Sequence, residues 1–217
     1  MTNFKMFSCG ALAVTALVSF GLTASSAQAA SIVTNGGFEL PVLPNSSFLI
    51  SNTIPGWTRG AGSSGSGIEV QRNNIAGLAF EGQQFAELDS DGVTSIFQDL
   101  ATNIGQQYRL NFAFSARPNV GDNQLDIGWG GNPVASLSAS GQPGTVWNQF
   151  SYLLTATNNT TRLSFGNLGE TSDSLGSYLD AVSVTAVPTP ALLPGLVGLG
   201  IAALRKRKAE ATAESEA

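Results

Sequence analysis

Histidine is absent from the 217-residue chain, and its one cysteine is Cys9. The first absence excludes Ser-His-Asp and Cys-His nucleophile systems, His-ligated zinc and an imidazole proton shuttle. The second excludes a disulfide framework and cysteine-cluster metal or iron–sulfur sites. Charge is sparse, at 12% of residues, and leans acidic, with a formal net charge of −5 and a sequence pI of about 4.6. An acidic chain is poorly suited to gripping phosphate backbones, so no nucleic-acid partner is expected. Lysine is missing altogether from residues 30–187. There five arginines (Arg59, Arg72, Arg109, Arg117, Arg162) face twelve carboxylates, for a net charge of −7. Such a surface repels anionic polymers and attracts divalent cations.

What the chain does have at its ends reads as addresses. Lys5 gives a small basic n-region, Met6 to Leu22 an apolar h-region, and Ala27-Gln28-Ala29 a small-x-small cleavage site. Residues 1–29 therefore read as a secretory signal peptide cut after Ala29. Cys9 opens the apolar run, where a lipobox cysteine would close it, so lipidation is not expected. Once that segment is removed no cysteine is left, and the core of the exported chain must stand without disulfide staples.

At the other end Val187-Pro188-Thr189-Pro190-Ala191 leads into an apolar run to Leu204, and Arg205-Lys206-Arg207-Lys208 follows at once. As a helix the run from Ala191 measures about 21 Å, against about 30 Å of hydrocarbon core. Pro194, Gly195, Gly198 and Gly200 weaken it further. A basic cluster closing such a span stays cytoplasmic. The Pro-Thr-Pro-Ala box, the short glycine-containing segment and the basic cluster, in that order, resemble the PEP-CTERM class of sorting signals in its PTPA form. The resemblance covers residues 187–208. It implies that an exosortase-type membrane transpeptidase recognises Pro188, Thr189, Pro190 and Ala191. The tail is then lost, and the protein passes from a transient membrane anchor to the cell surface, outer envelope or extracellular matrix. The chain departs from the pattern in the residues Ala209 to Ala217 that follow the basic stop. An ordinary C-terminal membrane anchor is the alternative.

The chain thus divides into a signal peptide (1–29), one domain (30–187), a sorting or membrane segment (188–208) and an acidic tail (209–217). A domain of that size buries roughly 68–70% of its unfolded surface, enough to fold without metals or disulfides. Its apolar pattern has period two. Tyr108, Leu110, Phe112 and Phe114 alternate with polar or small residues, as do Leu125, Ile127 and Trp129, then Phe150, Tyr152 and Leu154, then Val182 and Val184. Such alternation marks half-buried strands. Between the runs lie turn clusters such as Pro118 to Asn123, Ser140 to Gly144 and Asn158-Asn159. About eight to ten short strands predict an all-β fold, a single sandwich or jelly roll, with hydrophobic helical segments only at the termini.

The order of features along this domain is Asn35-Gly36-Gly37-Phe38-Glu39, Ile54-Pro55-Gly56-Trp57, Gly67-Ile68-Glu69-Val70, Glu87-Leu88-Asp89, Tyr108 to Phe112 and Tyr178 to Val184. That layout is similar to the galactose-binding-like jelly rolls of carbohydrate-binding modules. The resemblance implies a non-catalytic sandwich, often glycan-binding and often holding a structural calcium ion. In such modules the Asn-x-Gly-Phe-Glu segment and the last-strand aspartate meet at one edge, which points here to Glu39 and Asp180. Asp180 shares register with core-facing Val182 and Val184, where an unpaired carboxylate is costly. Calcium takes oxygen ligands, and turn carbonyls around Gly36 and Gly37 would complete the set. The plainer alternative satisfies Asp180 with backbone hydrogen bonds or an arginine.

Glu87, Asp89 and Asp91 project from one strand face and resemble the carboxylate run of laminarinase-like glycosidases. Asp91-Gly92, however, is a hairpin dipeptide that takes Asp91 off the strand, so the run reads as a strand entering a turn. Among the aromatics, Trp57 and Trp129 read as core. Trp147 lies opposite in phase to Phe150, Tyr152 and Leu154. With Arg117 and Arg59 in nearby loops it is the candidate glycan platform. The sequence therefore predicts an exported, non-catalytic surface or matrix protein associating with polysaccharide. The alternatives are a small glycoside-active enzyme using Glu87 and Asp89, or a purely structural coat or adhesion unit.

Overall fold

The structure is a computed structural model that describes residues 29–73, 75–167 and 171–188. The signal-peptide stretch 1–28 lies outside the described residues, as do Thr189, Pro190, Ala191 and the basic stop Arg205 to Lys208. The described chain is all β. Its strands are β1 (Phe48–Ser51), β2 (Thr53–Ile54), β3 (Trp57–Arg59), β4 (Ile68–Arg72), β5 (Gln84–Glu87), β6 (Ser95–Ala101), β7 (Gln107–Ser115), β8 (Asn123–Trp129), β9 (Asn132–Ala139), β10 (Asn148–Thr155), β11 (Thr160–Gly166) and β12 (Tyr178–Ala186). They form two six-stranded antiparallel sheets, ordered β1-β4-β5-β12-β7-β10 and β2-β3-β6-β11-β8-β9. The two sheets make the expected jelly-roll sandwich. The strand number exceeds the expectation because β1, β2 and β3 are too short to show a period.

Alternation builds the core directly. On β7, Tyr108, Leu110, Phe112 and Phe114 point inward and are almost fully buried. Phe112 meets Phe165 of β11 edge-on across the sandwich, with ring centroids 5.1 Å apart. Trp57 is 1% exposed and stacks on Phe38 at 5.5 Å, and its indole N–H donates to the Asn35 carbonyl at 3.0 Å. Trp129 is likewise a core residue.

The first segment follows the last strand without forming a strand of its own. The Ile32 amide donates to the Val184 carbonyl and the Val182 amide to the Gly36 carbonyl, both at 2.9 Å. Strand β12 bulges between Asp180 and Ser183, with Ala181 at a φ of 52°. The alternation expected to join Asp180 to Val182 and Val184 is broken there, because a bulge inserts one residue and resets the face. Val182 and Val184 enter the core, and Asp180 turns to the outer side with Tyr178.

Strands β4 and β5 are buried on both faces. Loops close over their outer side: the Leu88 amide donates to the Ser177 carbonyl at 3.0 Å, and the Tyr178 hydroxyl donates to the Ala76 carbonyl at 3.3 Å.

Candidate functional site

The expected platform is only partly assembled. Trp147 does lie out of phase with the inward residues of β10, on the outer side of the first sheet. There it is half-buried, packed edge-on against Phe85 (5.9 Å) and Phe80 (6.2 Å) and tilted against Tyr178 (6.4 Å). Its indole N–H donates to the Leu78 carbonyl at 2.9 Å. The ring thus holds the loop of residues 75–80 down. Arg117 sits at the same end of the sheet, but its guanidinium is paired with Glu87. Arg59 belongs to β3 in the other sheet and donates to the Ser63 carbonyl at 2.6 Å. The structure brings Trp147 and Arg117 to one end and leaves Arg59 elsewhere.

The carboxylates of β5 are sealed in. Glu87 is fully buried, accepts from the Gly176 amide at 2.9 Å, and shares the Gln71 side-chain amide with Glu69. Burial pushes the Glu87 carboxyl up to about 8. The neighbouring Glu69 charge adds to this, and Arg117 opposes it. Burial raises Glu69 as well. Asp89 is 2% exposed and accepts from the Ser172 hydroxyl at 2.6 Å and the Asp173 amide at 3.1 Å. Asp91 leaves the strand through a turn closed by the Asp89–Val93 bridge and accepts from the Ser66 amide at 2.7 Å. Catalytic carboxyls must be open to substrate and water, and Glu87 and Asp89 are at most 2% exposed.

Glu39 and Asp180 serve one loop. Glu39 accepts from the Gln83 and Gln84 amides at 2.7 and 2.9 Å. Asp180 accepts from the Phe80, Glu81 and Ala181 amides at 2.9, 3.1 and 2.6 Å. Desolvation pushes Asp180 up to about 7 against the pull of those amides. Gly37 lies between the acids. A Cβ there would stand 3.1 Å from a Glu81 carboxylate oxygen and 3.9 Å from Asp180 Oδ1. Glu81 thus joins the expected pair, with no signal in its local sequence. Among the described residues no group of three or more His, Cys, Asp or Glu is arranged to hold a metal ion. The donors present are oxygens, which suit a hard cation in kind, but those facing the loop are already engaged by backbone amides.

The outer face of the second sheet carries a different feature. Ile96, Ile127, Leu163 and Phe165 point into the core, so Ser95 and Phe97 of β6, Ser164 and Gly166 of β11, and Asp126 and Gly128 of β8 point out. Pairing register aligns them in two rows across the strands, Ser95–Gly166–Asp126 and Phe97–Ser164–Gly128. The small residues leave an open trough of about 260 Å³, walled on one side by Asn132 and Pro133. The glycines are needed for it. A Cβ at Gly128 would stand 2.4 Å from the Ser164 hydroxyl, and one at Gly166 would stand 2.8 Å from the Ser95 Cβ. Glycine inside a strand marks a place where something approaches closely. The Gln124 side-chain amide donates to both Asp126 oxygens at 3.0 Å, fixing that carboxylate at the rim. Beyond Ser164, the Arg162 guanidinium lies 3.6 Å over the Phe97 ring and grips Asp99 with two 2.7 Å hydrogen bonds. The trough therefore offers hydroxyl, amide and carboxylate groups, while the one aromatic face beside it is covered. Sequence reading missed it because small residues at outward positions of three strands gain meaning only once the register is known.

No family model matches the chain, and no curated protein matches it in sequence. Among solved structures the chain is similar to the carbohydrate-binding module TmCBM61, described in complex with beta-1,4-galactotriose. The identity is 16%, the match covers 72% of this chain and 99% of that one, and the TM-score is 0.46. It is also similar to the N-terminal CBM22-1–CBM22-2 tandem domain of Paenibacillus barcinonensis Xyn10C, at 16% identity over 79% of this chain and 49% of that one, with a TM-score of 0.46. A third likeness is to the enzymatically active domain of the bacteriophage CBA120 tailspike protein 4, at 17% identity over 72% of this chain and 21% of that one, with a TM-score of 0.43. At these values the likeness is one of overall fold and assigns no role to any residue.

Proposed function

We propose that the protein is an exported, non-catalytic surface or matrix protein that associates with polysaccharide through the trough on its second sheet. The observation that carries this reading is the trough itself: an open, largely apolar channel, bordered by serine, asparagine and aspartate side chains, that two strand glycines keep clear. A sugar chain is recognised by convergent hydroxyl, amide and carboxylate groups, and Ser95, Ser164, Asn132 and Asp126 supply them. Burial of Glu87 and Asp89 supports a binding role over a hydrolytic one.

Affinity electrophoresis of the full chain through gels cast with neutral polysaccharides tests the reading. Retardation is expected on at least one polymer. Asp126→Ala weakens it about tenfold, the scale of a lost hydrogen bond to a charged group, and leaves the melting midpoint within about 2 °C of wild type, as surface substitutions do. Free migration in every polymer would leave the purely structural coat as the better reading.

Export and sorting form part of the same proposal. Mass spectrometry of the protein recovered from cells is expected to show an N-terminus at Ala30 and a C-terminus near Pro188 to Ala191. Retention of Arg205 to Lys208 in the mature protein would favour a plain membrane anchor over exosortase processing.

A further inference from the structure

The two sheets end in four edge strands, β1 and β10 on the first and β2 and β9 on the second. An open edge is a template for pairing, and proteins blunt it by shortness, charge, proline or a bulge. Three of the four edges are blunted. Strand β1 has four residues and β2 has two. Strand β9 carries Pro133 and a register shift against β8. Strand β10 has none of these devices. Its eight residues, Asn-Gln-Phe-Ser-Tyr-Leu-Leu-Thr, include no charge, proline or glycine, and they pair with β7 in unbroken register.

The side chains tell the same story independently. Phe150, Tyr152 and Leu154 of β10 point inward opposite Phe112, Leu110 and Tyr108. Those three partners are at most 3% exposed. The β10 residues, only one strand further out, are half-buried, and Leu153 on the outer side is 52% exposed. Among the described residues the core is left unfinished along this edge.

We propose that β10 pairs antiparallel with β10 of a second copy of this chain, about a two-fold axis perpendicular to the first sheet. An isologous contact asks that one surface suit itself. This edge does, because it carries no charge to repel its own copy in a domain of net charge −7. Pairing satisfies the free ladder groups of both edges and covers Phe150, Tyr152 and Leu154 of each copy. The same axis places both second sheets on one side, so two troughs face one polymer and bind with avidity. That last consequence rests on the polysaccharide reading; the pairing does not.

Sedimentation velocity of the full chain in detergent, over a concentration series, is the test. A dimer mass is expected. Leu153→Glu, a change at an exposed position beside Arg109, raises the dissociation constant at least tenfold. Ser136→Glu on the blunted edge β9 leaves the dimer mass unchanged. Hydrogen exchange gives the second reading, with every amide of β10 protected in wild type and alternate ones exposed in Leu153→Glu. A monomer at all concentrations, or a dimer that Leu153→Glu leaves intact, overturns the proposal. A monomer with fully protected β10 amides also overturns it, by showing that another segment of the same chain covers the edge. Loss of dimer that weakens polysaccharide retardation without abolishing it separates this proposal from the function of the trough.

Discussion

The melting midpoint of the protein is expected to fall by roughly 5–10 °C as pH is raised from about 5 to about 8, the opposite of the usual acid sensitivity of a carboxylate-rich protein. The cause is the buried group formed by Glu69, Gln71, Glu87 and Arg117. Two carboxyls face one guanidinium there, so one negative charge has no partner if both ionise. Glu87 is pushed from 4.5 to about 8, and Asp180, at the loop clamp, from 3.8 to about 7. A raised folded pKa means that the folded state holds a proton the unfolded chain has released. Stability is therefore highest at the acid end and declines as pH rises from the unfolded value through the folded one. Both shifts act in the same direction and together are worth a few kcal/mol over this pH range. The opposing cases, Asp99 held low by Arg162 and Asp91 held low by its hydrogen bonds with Ser66, are exposed and act only below about pH 4, each worth under about 1 kcal/mol. Glu87→Gln, which keeps the shape and removes the titration, should flatten the curve by half or more and raise the midpoint at pH 8. Calorimetry of both proteins in matched buffers decides the matter. A wild-type midpoint that is flat or rising over this interval would show that the cluster does not carry a shared proton.

That cluster also marks where sequence reading stops. The strands were legible, because a half-buried strand writes its face at every second residue: Tyr108 to Phe114, Leu125 to Trp129 and Val182 to Val184 went where their phase sent them. The Asp91-Gly92 turn was legible from its dipeptide. In phase alone, Glu69, Gln71, Glu87 and Asp89 look like the solvent side of an edge strand. Their burial comes from residues 75–80 and 171–177, which are distant in sequence and carry no mark of where they fold back. Trp147 shows the same limit: its phase was readable, and its partners Phe80, Phe85 and Tyr178 were not. The trough is further still from the sequence, since Ser95, Gly166 and Asp126 become neighbours only through the pairing of β6, β11 and β8. The bulge at Ala181 reversed the face of Asp180, because one inserted residue inverts a period of two.

Asp180→Ala is expected to lower stability by about 3 kcal/mol or more, a fall in the melting midpoint of roughly 6–12 °C. The carboxylate accepts three backbone amides, those of Phe80, Glu81 and Ala181. A fully buried donor left without a partner costs about 1–3 kcal/mol, and these three amides are partly buried. The damage spreads along a definite route. Phe80 packs on Trp147, and Glu81 leads through Gly82, where a Cβ would stand 2.1 Å from Glu39 Oε1, into the two amides that Glu39 holds. On its other side Asp180 borders the segment in which Gly36 approaches β12 so closely that a Cβ there would stand 1.8 Å from the Val182 carbonyl oxygen. One side chain thus ties the first segment, the loop before β5 and the last strand together. Asp180→Asn, which keeps acceptor oxygen but turns an N–H₂ toward amide donors, should fall between alanine and wild type. The same melts decide whether a calcium ion joins Glu39, Glu81 and Asp180. If it does, chelator lowers the wild-type midpoint and leaves Asp180→Asn unmoved. If midpoints with and without chelator coincide while Asp180→Ala still melts far lower, the three amides alone account for the shape of the clamp, and the cation has no part in it.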